Sequence, residues 1–265
     1  MRTLVLLLLF VSFILSSPAQ AGEAVFSASS PEHRVAVLEL YTSQGCSSCP
    51  PAERWLSRLK KTGASSEQLI PLAFHVTYWD YIGWKDRFGS ERYDNRQREI
   101  ARFNRQKTIY TPQFVLGGSD YRTYNRFSSD VSHIVSMPSS IDLKITAKKQ
   151  GQTDLGVEVS ADISKSKLKD VVLFLALYEN NLKSHIGEGE NEGELLHHDY
   201  VVRQFYGPFL KNTKQTENHP SAAVHQSVLI DESWKQNEMG LVAFAQNPQT
   251  GEILQAVRLP LGGRI

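Results

Sequence analysis

The sequence predicts two unlike halves, an α/β N-terminal part and an all-β, sandwich-like C-terminal part. Three observations predict this division. Up to residue 138, apolar residues alternate between buried-strand runs and helical spacing. Beyond it, about seven strand-like runs follow one another with no helical period. The two cysteines of the chain, Cys46 and Cys49, stand at a strand-to-helix junction in the first half.

The start of the chain reads as an export signal. Arg2 gives a positive n-region, Leu4 to Leu15 an apolar stretch, and Ala19-Gln20-Ala21 a cleavage site, so residues 1–21 are expected to be removed and Gly22 to begin the mature chain. The apolar stretch falls short of the roughly 20 helical residues that cross a bilayer, and no later segment approaches that length. A periplasmic or secreted protein with no membrane insertion after cleavage is the expectation. Lys+Arg 29 against Asp+Glu 28 leaves no overall field to attract nucleic acid. The mixed-sign charge run from Lys85 to Lys107 reads as a solvated helix face.

The elements of the first half follow in order. Val35 to Tyr41 is a valine-rich run suited to a strand buried on both faces. Thr42 to Gly45 turns the chain, and Ala52 to Lys61 has helical spacing at Trp55, Leu56 and Leu59. Pro50-Pro51 predicts that this helix starts late or kinks. Cys46 then lies at a helix entrance, where unpaired N–H groups and the macrodipole favour a thiolate. Leu69 to Thr77 is a second strand, and Ser90 to Gln106 a helix that Ser90 caps. Ile109 to Leu116 is a strand carrying Thr111-Pro112, Gly117-Gly118 a hairpin turn, and Tyr121 to Tyr124 the return strand. Phe127, Val131, Ile134 and Val135 then share one helical face.

This succession resembles the thioredoxin fold over about residues 33–138. More narrowly, Leu38 to Glu53, Ala73 to Asp86 and Tyr110 to Gln113 are similar to motifs of the DUF1223 family of secreted thioredoxin-like proteins, and the likeness extends to Leu259-Pro260-Leu261. The resemblance implies a nucleophile at Cys46, a resolving thiol at Cys49, a proton acceptor at Glu39 and a proline at Pro112 that packs beside the cysteines. The resemblance implies a substrate-binding role for Thr111 and Pro112 as well, while His75 and Trp79 are expected to bind substrate because they lie at the carboxyl end of the second strand, where ligands collect in such sheets. Trp79, Tyr81 and Trp84 follow the second strand and could equally cover the core.

The chemistry this implies is thiol–disulfide exchange: a thiolate attacks a substrate disulfide and a second thiol resolves the mixed disulfide. The expected partners are protein thiols and disulfides, with a membrane or soluble redox partner to exchange electrons. No cofactor is assigned. The competing readings are a Cu(I)-binding or copper-delivery protein that uses the same pair, a static disulfide, and a non-catalytic thioredoxin-like interaction protein. A four-residue loop gains only about 2 kcal/mol from a disulfide, which weakens the staple reading. No metal ligand set is assigned either: there is no second cysteine pair, His197 and His198 point to opposite faces of a strand, and His75 is the best additional ligand beside the CxxC.

The second half, residues 139–265 against 22–138 for the first, contains strand patterns at Ile141 to Ile145, Leu155 to Val159, Val171 to Tyr178, Leu195 to Phe205, Val224 to Ile230, Leu241 to Gln246 and Ile253 to Arg258. Asn247 to Gly251 reads as a hairpin turn, and Gly187 to Gly193, with no apolar residue, as an exposed loop. No hydrolase or phosphate-binding motif occurs here, so this half is expected to be a binding or docking module.

Overall fold

A computed structural model describes residues 25–61, 65–151, 153–168, 170–212 and 221–262. The expected signal peptide, residues 1–21, lies outside the described residues. In chain order the elements are β1 (Val25–Ser29), β2 (Ala36–Thr42), α1 (Cys49–Arg58), β3 (Leu69–His75), α2 (Glu91–Phe103), β4 (Gln113–Leu116), β5 (Ser119–Tyr121) and α3 (Phe127–Val135). The remaining elements are all strands apart from short turns: β6 (Asp142–Lys149), β7 (Asp154–Asp162), β8 (Asp170–Glu179), β9 (Leu182–His185), β10 (Leu195–His198), β11 (Val201–Asn212), β12 (Ser221–Leu229), β13 (Met239–Gln246) and β14 (Ile253–Pro260).

Sheet connectivity corrects the expected division at 138/139. One eight-stranded sheet runs β14-β13-β8-β11-β3-β2-β4-β5, so strands of both halves are hydrogen-bonded into a single layer. β2 and β3 are parallel, β4 runs antiparallel to β2, and β11 joins the edge of β3 in parallel at Val201 and Ala73. A second sheet, β1-β6-β7-β12, packs across the C-terminal strands, and its edge strand β1 comes from the chain's start. The sandwich expected of residues 139–265 is therefore not freestanding, because one of its layers is the shared sheet.

β8 shows why this happens. Val172, Phe174, Ala176 and Tyr178 enter the core shared with β2, β3, α1 and α2, while Val171, Leu173, Leu175 and Leu177 enter the core under the four-stranded sheet. A strand with both faces covered has no solvent side, hence its unbroken apolar run. β13 divides likewise, with Val242 and Phe244 on one face and Leu241, Ala243 and Ala245 on the other.

Several boundaries also shift. The stretch Leu195 to Phe205 is two strands, because Tyr200 at φ 58 breaks the run between β10 and β11. β4 begins only at Gln113, since Pro112 has no N–H for the ladder; the Thr111–Pro112 bond is cis. Ser90 does cap α2, its hydroxyl accepting from the Arg92 N–H. The Gly117-Gly118 turn abuts the turn between β13 and β14. A Cβ on Gly118 would collide with the Gly251 carbonyl oxygen, and Ile253 donates its N–H to the Gly117 carbonyl.

Candidate active site

β2 delivers the chain into a tight turn at the carboxyl end of the sheet. Cys46 donates its N–H to the Ser43 carbonyl at 3.2 Å, and Cys49 donates to the Cys46 carbonyl at 3.1 Å. Contrary to the expected late start, α1 begins at Cys49 itself. Pro50 and Pro51 occupy its first turn, where helix N–H groups have no intrahelical partner in any case. Both thiols are unbridged and buried, Cys46 being 1% and Cys49 0% exposed.

The two sulfurs are electrostatically unlike. A hydrogen bond from the Cys49 thiol is the largest influence on Cys46. Burial opposes it, Ser48 and Thr111 reinforce it, and the Cys46 thiol falls from 9.0 to about 6. Burial pushes Cys49 far above its ordinary value, and its hydrogen bond to Cys46 acts in the same direction; contacts with Thr42 and the Ser43 backbone offset this only in part. The site therefore holds one thiolate and one thiol near neutral pH.

Thr111 links one more of the expected residues, Trp79, to Cys46. Its hydroxyl contacts the Cys46 sulfur and accepts from Trp79 Nε1 at 2.7 Å. Trp79 stacks on Tyr81, which is 82% exposed, and its Cβ lies against Gly45.

The loop between β9 and β10 is exposed as expected at Gly187, Glu188, Glu190, Glu192 and Gly193. It also folds onto the CxxC turn, which its composition does not announce. Asn191, 6% exposed, donates from Nδ2 to the carbonyls of Gln44 and Cys46 at 2.8 and 3.0 Å, and Glu190 accepts from the Ser47 N–H. Gln44 extends the clamp, accepting from Trp84 Nε1 and donating to Ser184 Oγ. A cleft of about 370 Å³ opens beside it, lined by Ser47, Pro50, Pro51, Arg54, Glu190 and His197.

Glu39 requires a second correction. It is fully buried but committed elsewhere: both carboxylate oxygens accept from Arg96 of α2, at 2.8 and 3.1 Å, and Oε2 also accepts from the Tyr41 hydroxyl. The Arg96 guanidinium lies over the rings of Phe174, Phe205 and Phe244. Alternation along β2 puts Glu39 and Thr42 on opposite faces, and it is Thr42 that reaches Cys49. Glu39 is thus a structural ion pair rather than a proton acceptor for the thiols. Nor is the 85–107 run wholly solvated, since Asp86, Asp94 and Arg96 from it are buried.

The acid on the cysteine face is Glu53, one helical turn after Cys49. Its Oε1 accepts from the Thr42 hydroxyl at 2.7 Å and its Oε2 pairs with His198 Nδ1. His75, expected to bind substrate, faces this cluster instead, with Nδ1 on Asp86 Oδ2 at 2.7 Å. Burial works against ionising Glu53, but His198, with help from His75 and Thr42, holds it below its ordinary value. Against the same penalty His75 lowers Asp86, and Asp86 raises His75. The spacing Cys49, Glu53, Leu56 was the signal available for Glu53: a charge at i+4 on the buried stripe of an amphipathic helix. His198 carried no comparable signal, because β10 reaches α1 only through the tertiary fold.

The profile of the family described as "Protein of unknown function (DUF1223)" matches residues 37–246. The chain belongs to the DUF1223 family. That stretch includes the CxxC, the Glu53 cluster and the loop that clamps it, so the whole site lies within the DUF1223 region. No curated protein matches the chain. Two solved structures share its fold. One is a crystal structure of a protein from Agrobacterium tumefaciens, with 20% identity and TM-score 0.61 over 88% of this chain and 97% of that one. The other is HBP35 of Porphyromonas gingivalis, with 13% identity and TM-score 0.65 over 86% and 76%. Among the described residues no helix is long and apolar enough to cross a membrane.

Proposed function

We propose that this DUF1223 protein is an exported, periplasmic or secreted thiol–disulfide oxidoreductase with a thioredoxin-like unit over residues 33–138, acting on protein thiols and disulfides. The observation that carries the reading is the asymmetry of the pair: Cys46 ionises at about 6 while Cys49 keeps its proton. The Cys46 thiolate attacks one sulfur of a substrate disulfide, and that S–S bond breaks as the Cys46–substrate bond forms. Cys49 then attacks the Cys46 sulfur, the substrate leaves with both electrons of the mixed disulfide bond, and the Cys49 proton ends on a departing thiol. The protein's dithiol is oxidised by two electrons and the substrate disulfide reduced by two; an oxidised pair runs the same steps in reverse. The strand order β3-β2-β4-β5 and the placement of Cys46 before α1 both agree with this role.

Substrate access supports a protein-sized partner whose segment displaces the Asn191 loop. Cys46 is 1% exposed with the loop in place, and the adjoining cleft of about 370 Å³ could take an extended stretch of chain. The decisive experiment is trapping with Cys49→Ala in the export compartment. Disulfide-linked adducts through Cys46 that are absent from Cys46→Ala are expected. The absence of adducts, together with an inert wild-type dithiol towards small disulfides, refutes the assignment.

A further inference from the structure

We infer that Glu53, His75 and His198 form a binding site for one divalent transition-metal ion of the zinc type, buried behind the CxxC turn and separate from it. The three come from α1, β3 and β10. Each offers one ligand atom, and these atoms all lie within 4.8 Å of one another. Neither cysteine belongs to the set.

Charge balance is the first argument. Glu53 and Asp86 are carboxylates in a common buried region, 5% and 2% exposed, and among the described residues neither pairs with a lysine or arginine. Two buried negative charges require two positive ones nearby. Protons on both imidazoles would supply them, and so would one divalent cation held by neutral imidazoles.

The second argument separates these options. His75 Nε2 is buried with no hydrogen-bond partner. If protonated, it would place a donor in a dry interior with nothing to receive it. As a lone pair it is a metal ligand, and Asp86 on Nδ1 supplies the carboxylate that fixes this tautomer in metal-bound histidines. Glu53 is fixed similarly, with Oε1 on the Thr42 hydroxyl and Oε2 left towards His198.

The donor set selects the metal class. Two imidazoles and a carboxylate suit zinc and its neighbours, whereas Cu(I) prefers thiolates. Zinc–ligand bonds of about 2.0–2.1 Å place tetrahedral donors about 3.3 Å apart, so the more distant donors must draw in while Glu53 Oε2 and His198 Nδ1, now hydrogen-bonded to each other, must move apart to admit the ion in place of the shared proton. The inference does not depend on the redox reading.

The test uses the mature chain, reduced and stripped of metal, titrated with Zn2+ against a competing chelator dye and with Co2+ followed in the visible spectrum. One Zn2+ per chain is expected, with a Co2+ spectrum lacking a thiolate charge-transfer band, and both should persist in the Cys46→Ser/Cys49→Ser variant. His198→Gln should abolish binding, and Asp86→Asn should weaken it about 10- to 100-fold. No uptake by the wild type overturns the inference. So does a thiolate band, loss of uptake in the cysteine variant, or retention by a folded His198→Gln protein. The wild-type and cysteine-variant measurements decide the matter even if a histidine variant fails to fold.

Discussion

Replacing Cys49 with alanine should move the titration of Cys46 upward, because the Cys49 hydrogen bond is the largest influence that lowers it. The wild-type starting point follows from the shift of the Cys46 thiol from 9.0 to about 6. At pH 7 an ordinary thiol at 9.0 is about 1% thiolate and one at about 6 is about 90%, roughly a ninetyfold difference in reactive form. Nucleophilicity falls as basicity falls, with a Brønsted slope of about 0.4–0.5, so the same three-unit shift takes back roughly 16- to 30-fold. The net gain in exchange rate at neutral pH is therefore only about three- to sixfold, and the sharper signature is the midpoint of the pH profile. Alkylation of the reduced protein, with each rate normalised to its high-pH plateau, measures that midpoint independently of how deeply Cys46 is covered. A wild-type midpoint near 6 and a higher one in Cys49→Ala are expected. A wild-type midpoint near the ordinary thiol value, or one unchanged in Cys49→Ala, would show that the hydrogen bond between the sulfurs does not control the site.

The same shift has a consequence for stability. Cys46 ionises more readily in the folded chain, so between about pH 6 and 9 the unfolded chain binds more protons. Stability of the reduced protein relative to Cys46→Ala should rise with pH across that window, by at most about 1.4 kcal/mol per unit, and be lost as pH falls through about 6. Urea melts of both proteins at several pH values check the sign. Replacing Arg96 with methionine strands the Glu39 charge and should cost about 3–5 kcal/mol in a denaturant melt, while Glu39→Leu/Arg96→Met should recover part of that loss, the remainder being about 1–3 kcal/mol for the Tyr41 hydroxyl and Gln246 Oε1 left without partners. Neither change should alter the Cys46 midpoint, because the pair lies across the sheet; a shift would contradict that placement. Asn191→Ala removes two hydrogen bonds to the CxxC turn and should raise the plateau alkylation rate of Cys46 at a stability cost of about 1–3 kcal/mol, whereas an unchanged rate would mean the loop does not gate access.

Local pattern carried much of this site. The valine-rich run of β2, the turn into Cys46, the Ser90 cap and the glycine turn after β4 are each specified by neighbours a few residues apart, and they appear where the sequence places them. Trp79 was singled out because it follows a core strand and Thr111 because of the thioredoxin resemblance, and the structure hydrogen-bonds the two to each other next to Cys46. Glu39 was misread for a physical reason: a lone acid in a buried strand signals a partner, but period-two alternation cannot say which face that partner occupies. Its partner Arg96 lies 57 positions away on α2. The role of Asn191 was not legible because a polar loop has the same composition whether it meets water alone or also the carbonyls of another turn.

Short-range pattern specifies the CxxC pair, the strand and helix that hold it, and the all-β character of the second half, because these rest on local periodicity and turn chemistry. Tertiary structure decided that the two halves share one sheet, that Glu53 and not Glu39 faces the cysteines, and that His75 and His198 converge beside it. Those facts depend on which edge β11 pairs with and where the loop after β9 lands. Such pairings are chosen by burial of whole faces, and no window of adjacent residues encodes them.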